Sequence, residues 1–223
     1  MKLALFDLDH TLIPLDSDYE WNQFLARTGA VDADAFEKAN AEFFAHYQAG
    51  TLDPVVYLEF AFGTLAQFTK KQLDAWHEQF MLEVIQPAIL PVARELIKKH
   101  QDAGDLIAIV TATNRFVTGP IAKAFGVAHL IAAEPELTED GEITGKTVGV
   151  PPYGAGKITN TNAWLAAMGK TLGEFETSHF YSDSQNDIPL LSLVTHPVAT
   201  NPNAKLAAHA QAQGWPILNL FND

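Results

Sequence analysis

Short apolar runs of strand length recur along the chain at 3–8, 106–110, 129–132, 179–182 and 197–199, most of them separated by stretches whose apolar residues repeat at helical spacing. This alternation reads as βαβ units and therefore as a parallel sheet, because parallel neighbours need a long crossover and a helix is the usual one. The punctuation agrees. Pro91 suits the first turn of a helix through His100, with Gly104 just beyond it, and Gly126 follows the stretch that ends at Phe125. Asn201-Pro202 and Gly214 bracket another helix before a last apolar run, Trp215–Phe221.

Between Asp18 and about Ile85 the texture changes. No strand-like run occurs there, and apolar residues fall at helical spacing: Trp21, Phe24 and Leu25; Phe36, Phe43, Phe44 and Tyr47; Tyr57, Phe60 and Ala61; Leu73, Trp76 and Phe80. Ser17-x-x-Glu20 and Thr69-x-x-Gln72 fit capping boxes, and Asp53-Pro54 fits an N-cap followed by proline at the first helical position. The expectation is a helical bundle over residues 16–87, inserted into a main domain of residues 1–15 and 88–223, with hinges at Leu12–Asp16 and Gln86–Leu90. A chain of 223 residues suits one main domain with such an insertion. The aromatic stripes are what a bundle needs for its core, with one or two rings free to face a cleft. A further excursion at Glu134–Gly149 alternates and carries Asp140-Gly141, a hairpin turn signal.

Charge and cysteine content narrow the function. A formal net charge of -13 disfavours a grip on nucleic-acid phosphates or an anionic membrane, which needs clustered Lys and Arg, so a small-molecule partner is expected. With no cysteine there is no disulfide, thiolate nucleophile or Cys-ligated zinc. No apolar run approaches the roughly 20 residues that span a bilayer. The first apolar run is interrupted by Asp7 and Asp9 and is not read as a signal peptide; cytoplasm is the default expectation.

Asp7 and Asp9 flank one residue, so on a strand both carboxylates point the same way at its carboxyl end, where open parallel sheets bind ligands. Like charges so close require a cation or a shared proton. "YSDSQND" brings Asp183 and Asp187 to the end of another strand-like run. A hard cation such as Mg2+ takes oxygen ligands of this kind and commonly works with a substrate phosphate. Thr111 follows the strand "LIAIV", with Thr113 and Asn114 just after it, and Lys157 in "GAGKI" stands at a helix start, where the ammonium and helix amides both suit an anion. "GAGKI" is not a Walker A loop, since position 151 is proline and Ile158 replaces Ser/Thr. The eight histidines show no zinc spacing and are read as non-catalytic, His10 being the one inside a motif; Thr11 reads as a turn residue.

In this order, Asp7-x-Asp9-x-Thr11, Thr111, Lys157 and Asp183-x-x-x-Asp187 resemble the four motifs of the haloacid dehalogenase superfamily, across the whole chain. The helical segment between the first two motifs resembles that of the helical-cap (C1, IB) subfamily, typified by phosphoserine phosphatases. The resemblance implies a Rossmann-like α/β core with an inserted helical cap, and a Mg2+-dependent phosphomonoesterase acting on a small metabolite through an aspartyl-phosphate. It implies Asp7 as nucleophile and Asp9 as general acid and base. It further implies Mg2+ on Asp7, the Asp9 carbonyl and Asp183, with Asp187, Asn186 and Ser184 in support, and Thr111 and Lys157 on the phosphoryl oxygens. Asp16 corresponds to the residue that binds a substrate amine, with Asp18 and Glu20 beside it, although these acids equally suit the start of a helix; Thr113 and Asn114 are the other expected substrate contacts. The cap's only arginine, Arg27, sits too early to bind a substrate carboxylate, and "TATNR" replaces a serine followed by glycines. An amine-bearing phosphate without a carboxylate, such as histidinol phosphate, is therefore preferred, with phosphoserine phosphatase and phosphotransferase as alternatives. A phosphate-accepting signalling module is disfavoured by Asp9, a dehalogenase by the same residue, and a phosphonatase because Lys38, Lys70 and Lys71 look like surface residues.

Overall fold

The computed structural model describes residues 1–221, apart from the side chains of residues 35, 44 and 48. Phe44, expected on the aromatic stripe, lies outside the described side chains. Among the described residues seven strands form one sheet: β1 (Lys2–Phe6), β2 (Leu106–Asn114), β3 (His129–Leu137), β4 (Ile143–Val148), β5 (Thr177–Ser182), β6 (His196–Thr200) and β7 (Ile217–Leu218). Their order is β4-β3-β2-β1-β5-β6-β7, and every neighbouring pair is parallel except β3 and β4. The fold is therefore the expected α/β fold with a mostly parallel sheet. Strand β1 lies at its centre, with Leu3 opposite Leu106 on one side and Ser178 on the other. Leu3 and Leu5 face one way and Ala4 and Phe6 the other, all fully buried, which is why the strand is apolar after the exposed Lys2 and does not alternate.

Two strand ends differ from expectation. β1 stops at Phe6, so Asp7 and Asp9 stand on the loop beyond it and not on the strand itself; the Leu8 carbonyl accepts from the amides of Thr11, Leu12 and Ile13 and closes that loop tightly. β2 runs to Asn114, so Thr111 lies within the strand, at the point where pairing with β3 becomes irregular between Val110 and Asn114. The expected hairpin is present, with Gly141 at φ 80 in its turn and β4 at the sheet edge.

Residues 17–80 carry four helices: α1 (Ser17–Arg27), α2 (Ala33–Ala49), α3 (Pro54–Leu65) and α4 (Lys70–Phe80). Asp53 caps α3 with Pro54 at its first turn, and Thr69 with Gln72 forms the expected box on α4. The Ser17-x-x-Glu20 box does not form. Asp16 is the cap of α1 instead, accepting from the amides of Asp18 and Tyr19, because a carboxylate one residue earlier already satisfies those donors. α4 runs through a π-helical turn, Met81–Ile85, into α5 (Gln86–Ala88), so within the segment Gln86–Leu90, read from the sequence as a hinge, only Ile89 and Leu90 lie outside a helix before α6 (Pro91–Asp102).

The remaining helices are α7 (Arg115–Ala124), α8 (Ala155–Ala167), α9 (Ile188–Leu191) and α10 (Ala204–Gln213). Asn203, not Asn201, caps α10, and Asn201 is left-handed at φ 46 with its side chain tied to the His10 carbonyl and the Leu220 amide.

The core has two apolar clusters, one on each face of the sheet. Phe6, Ile109 and Ile97 share one with Trp21, Phe24, Phe62 and Phe80 from the helical segment, so most of the aromatic stripe is core as expected. Leu5, Val110, Phe180, Leu165 and Leu206 form the other. Burying each ring or branched chain contributes about 1.5–3 kcal/mol, which ties the helical segment to the sheet without a linker. The β3–β4 hairpin adds a second attachment. Its Glu142 carboxylate accepts from the Lys70 amide at 2.7 Å, and a Cβ on Gly145 would stand 3.4 Å from the Gly63 Cα, so strand and helix α3 approach at backbone distance.

Candidate active site

The Asp7 amide donates to the Tyr181 carbonyl at 2.9 Å, extending the β1–β5 ladder by one bond and fixing where the Asp7 side chain leaves the sheet. Lys157, only 3% exposed, reaches it from the first turn of α8: its Nζ lies 3.0 Å from Asp7 Oδ1 and 2.6 Å from Asp187 Oδ2. The residue before it explains the approach. A Cβ on Gly156 would fall 2.0 Å from the Pro151 carbonyl oxygen, so glycine lets the start of α8 close on the preceding loop. Ser182 donates to the same Asp187 oxygen at 2.7 Å. Asp183 accepts from Thr11 at 3.5 Å, and its carbonyl accepts the Asn203 amide.

Asp9 is held from two sides. The Ser17 amide at the start of α1 donates to Oδ1 at 2.8 Å, and the Thr113 hydroxyl from β2 donates to Oδ2 at 2.8 Å. Thr111 is buried, and its hydroxyl oxygen accepts the Thr113 amide at 3.1 Å. These groups open on a cavity of about 440 Å³ between the carboxyl ends of the strands and the helical segment. Asp7, Asp9, Asp16, Thr111, Thr113, Lys157, Asp183, Asn186 and Asp187 all line it.

Two expected residues stand behind the wall. Ser184 accepts from the Tyr47 hydroxyl at 3.2 Å. Asn114 is fully engaged, donating to Asp18 Oδ1 at 3.0 Å and accepting the Val117 amide as the cap of α7. It ties β2 to α1 and is not a wall residue. Sequence reasoning missed Ser182, Asn40 and the identity of the rings that leave the stripe, Phe43, Tyr47 and Tyr57. Phe43 and Tyr47 are four apart on α2 and so share a face; nothing in the sequence says that the face is turned to the sheet.

The electrostatics follow from burial. Burial pushes Asp7 up to about 6, helped by the charge of Asp187 and opposed by Lys157. Burial and then the charge of Asp16 push Asp9 up to about 8. Asp183 is raised well above the carboxylate range, again by burial and next by Asp7 and Asp187. Burial pushes the Lys157 pKa down, but the facing carboxylates of Asp187 and Asp7 outweigh it and raise it. Asp7, Asp183 and Asp187 thus surround one ammonium, and fully ionised they would exceed it by two negative charges. A divalent hard cation would supply the missing charge. Among the described residues no three Asp, Glu or His side chains already surround one point, so the fitting donor set is two carboxylates, Asp7 and Asp183, completed by backbone oxygen and water, which Mg2+ accepts readily.

Comparison with known proteins decides the family. Residues 4–192 match the pattern of the haloacid dehalogenase-like hydrolases. The chain belongs to that family. Within this family it is 45% identical to a histidinol-phosphatase of Neisseria meningitidis, over 98% of each chain. It is 31% identical to a phosphoserine phosphatase of Mycobacterium tuberculosis, over 96% of this chain and 69% of the other. A solved protein of unknown function from Bordetella pertussis superposes with a TM-score of 0.93 at 51% identity, covering 99% of each chain. A substrate-bound phosphoserine phosphatase superposes at 0.68 with 18% identity, covering 97% of this chain and 92% of that one, and shares the fold. The chain is a phosphatase of the haloacid dehalogenase-like family.

Proposed function

We propose that this phosphatase is a Mg2+-dependent phosphomonoesterase working through an aspartyl-phosphate on Asp7, with an amine-bearing phosphate lacking a carboxylate as substrate. The observation that carries the reading is the Asp7–Lys157–Asp187 arrangement, which holds one carboxylate and one ammonium 3.0 Å apart on the cavity wall. Asp7 attacks phosphorus and the ester oxygen leaves; Asp9, oriented by Ser17 and Thr113, gives that oxygen a proton and takes one back from the water that hydrolyses the intermediate. Lys157 and the Thr111 hydroxyl face the phosphoryl oxygens, with Asp187 and Ser182 keeping the ammonium in place. Asp7, Asp183 and the Asp9 carbonyl would hold the cation, which when bound supplies positive charge to the phosphoryl oxygens.

The substrate reading rests on charge. Six carboxyls line the cavity against two lysines, Lys157 and Lys205. Once Lys157 and a divalent cation have balanced Asp7, Asp183 and Asp187, and Asp9 carries the proton it donates, Asp16 and Asp18 are left, neither with an ion-pair partner among the described residues. Arg27 is exposed and lies over the Phe24 ring, off the wall, so it does not offer a carboxylate site. The 45%-identical histidinol-phosphatase agrees with histidinol phosphate as the leading substrate. A cytoplasmic setting is part of the same proposal.

The test is phosphate release from histidinol phosphate, phosphoserine and p-nitrophenyl phosphate, with Mg2+ and with chelator, for the wild type and Asp7→Asn. Metal-dependent release, fastest for histidinol phosphate and lost in the variant, is expected. Turnover surviving in Asp7→Asn overturns the mechanism, and equal rates on all three overturn the substrate.

A further inference from the structure

Asp16 and Asp18 both line the cavity, but their surroundings differ. Asp16 caps α1: its Oδ1 accepts two backbone amides, at a helix end where negative charge is already favoured. Asp18 is 4% exposed, and its partners are neutral: Oδ1 accepts from the Asn114 amide group and Oδ2 from the Tyr57 hydroxyl. Among the described residues no lysine, arginine or histidine pairs with it. A buried carboxylate with only neutral donors is stabilised less than one with a cation beside it, and its pKa accordingly rises to about 7, mainly through burial.

A second, independent observation lies on the same wall. Asn40 is 7% exposed; its Oδ1 accepts from the Asn22 side chain at 3.4 Å, while its Nδ2 has no partner. An unpaired buried donor is a standing cost that an acceptor on a ligand would remove. The rings of Phe43 and Tyr57, 5.2 Å apart edge to face, line the same cavity and offer apolar and π surface.

The geometry points to Asp18, rather than Asp16, as the anchor for the substrate's protonated amine, with Asn40 donating to an uncharged acceptor on the same substrate, such as a ring nitrogen or hydroxyl. This rests on the phosphatase reading above and refines it: the substrate is an amino phosphomonoester whose organic part also carries a flat or polar acceptor. Each Asp18 oxygen keeps a lone pair for the ammonium after accepting its present bond. Tyr57 and Asn114 act as positioning residues, holding the carboxylate on the wall.

The test compares kcat/KM for histidinol phosphate with that for the same molecule lacking its amine, in the wild type, D18N and D16N. The wild type should prefer the amine, and D18N should lose that preference by about 10- to 100-fold, the value of a charged hydrogen bond, while D16N keeps it. The readout is the ratio, so a merely structural loss, which lowers both rates together, leaves it unmoved. D18S reads the same ratio if D18N does not fold. A preference retained in D18N, or lost in D16N instead, overturns the anchor while leaving the amine-substrate reading intact; no preference in the wild type overturns both. In N40L, discrimination between histidinol phosphate and O-phosphoethanolamine, which has the amine but no ring, should fall about 2- to 10-fold. Unchanged discrimination overturns the part assigned to Asn40.

Discussion

A buried ammonium between two carboxylates is a demanding arrangement, and Lys157 meets it through position. Its Nζ is 3.0 Å from Asp7 and 2.6 Å from Asp187, both contacts being largely buried. Removing it leaves two buried acids facing each other. Lys157→Met keeps most of the side-chain volume, yet should lower unfolding free energy by roughly 3–5 kcal/mol in urea titrations and reduce kcat at least 100-fold. A variant as stable as the wild type would mean that the two acids relax apart without the lysine. Much of this site was legible from residue order alone: acids at 7, 9, 183 and 187 and a threonine close to apolar runs, and a lysine at a helix start. Asn114 was misread because a polar residue after a strand looks the same whether it faces a ligand or caps the next helix. Only the three-dimensional neighbours, Val117 and Asp18, separate the two.

Among the elements, the start of α8 is the most constrained. Gly156 is helical, so its role is not backbone freedom; it is the space for the Pro151 carbonyl oxygen, 2.0 Å from where a Cβ would stand. Gly156→Ala should therefore cost about 1–3 kcal/mol, more than the usual gain from alanine in a helix, and should raise KM as Lys157 is displaced. Thermal unfolding with steady-state kinetics on the one variant checks both, and an alanine that stabilises would refute the close packing. Helix starts with a cap and a proline or a full capping box were readable, as at Asp53-Pro54 and Thr69. The box at Ser17 was not, because Asp16 competes for the same donors one residue earlier and a carboxylate satisfies two of them. Strand ends drifted for a related reason: hydrogen-bond pairing with β3 and β4, invisible in the local pattern, carries β2 and β3 past their apolar runs.

For the whole molecule, stability should weaken on the acid side through a group far from the chemistry. His179 on β5 has an unpartnered Nδ1. Burial, then the neighbouring His100 and His196, lower its pKa from 6.5 to about 4, with Asp105 opposing and Lys99 assisting. The Tyr181 ring stacks beside it, with its hydroxyl 2.8 Å from His100. A folded-state value below the unfolded one costs nothing above pH 6.5 and costs progressively more as pH falls towards 4. His179→Phe removes that titration, so its Tm should drop less between pH 7 and pH 5 than that of the wild type. Equal drops in calorimetry would clear His179 of the effect.

The central place of β1 has a consequence in time as well as in space. Its two neighbours, paired through Leu106 and Ser178, lie far along the chain, so during synthesis this mostly apolar strand is made long before either. Long-range parallel pairing closes large loops and is slow, and an idle apolar edge invites wrong partners. The helices of residues 17–80 are the segment made in the interval, and Trp21, Phe24 and Phe62 belong to the same cluster as Phe6. The face of β1 that carries Phe6 is therefore covered, in the finished fold, by a segment made before β2 and β5.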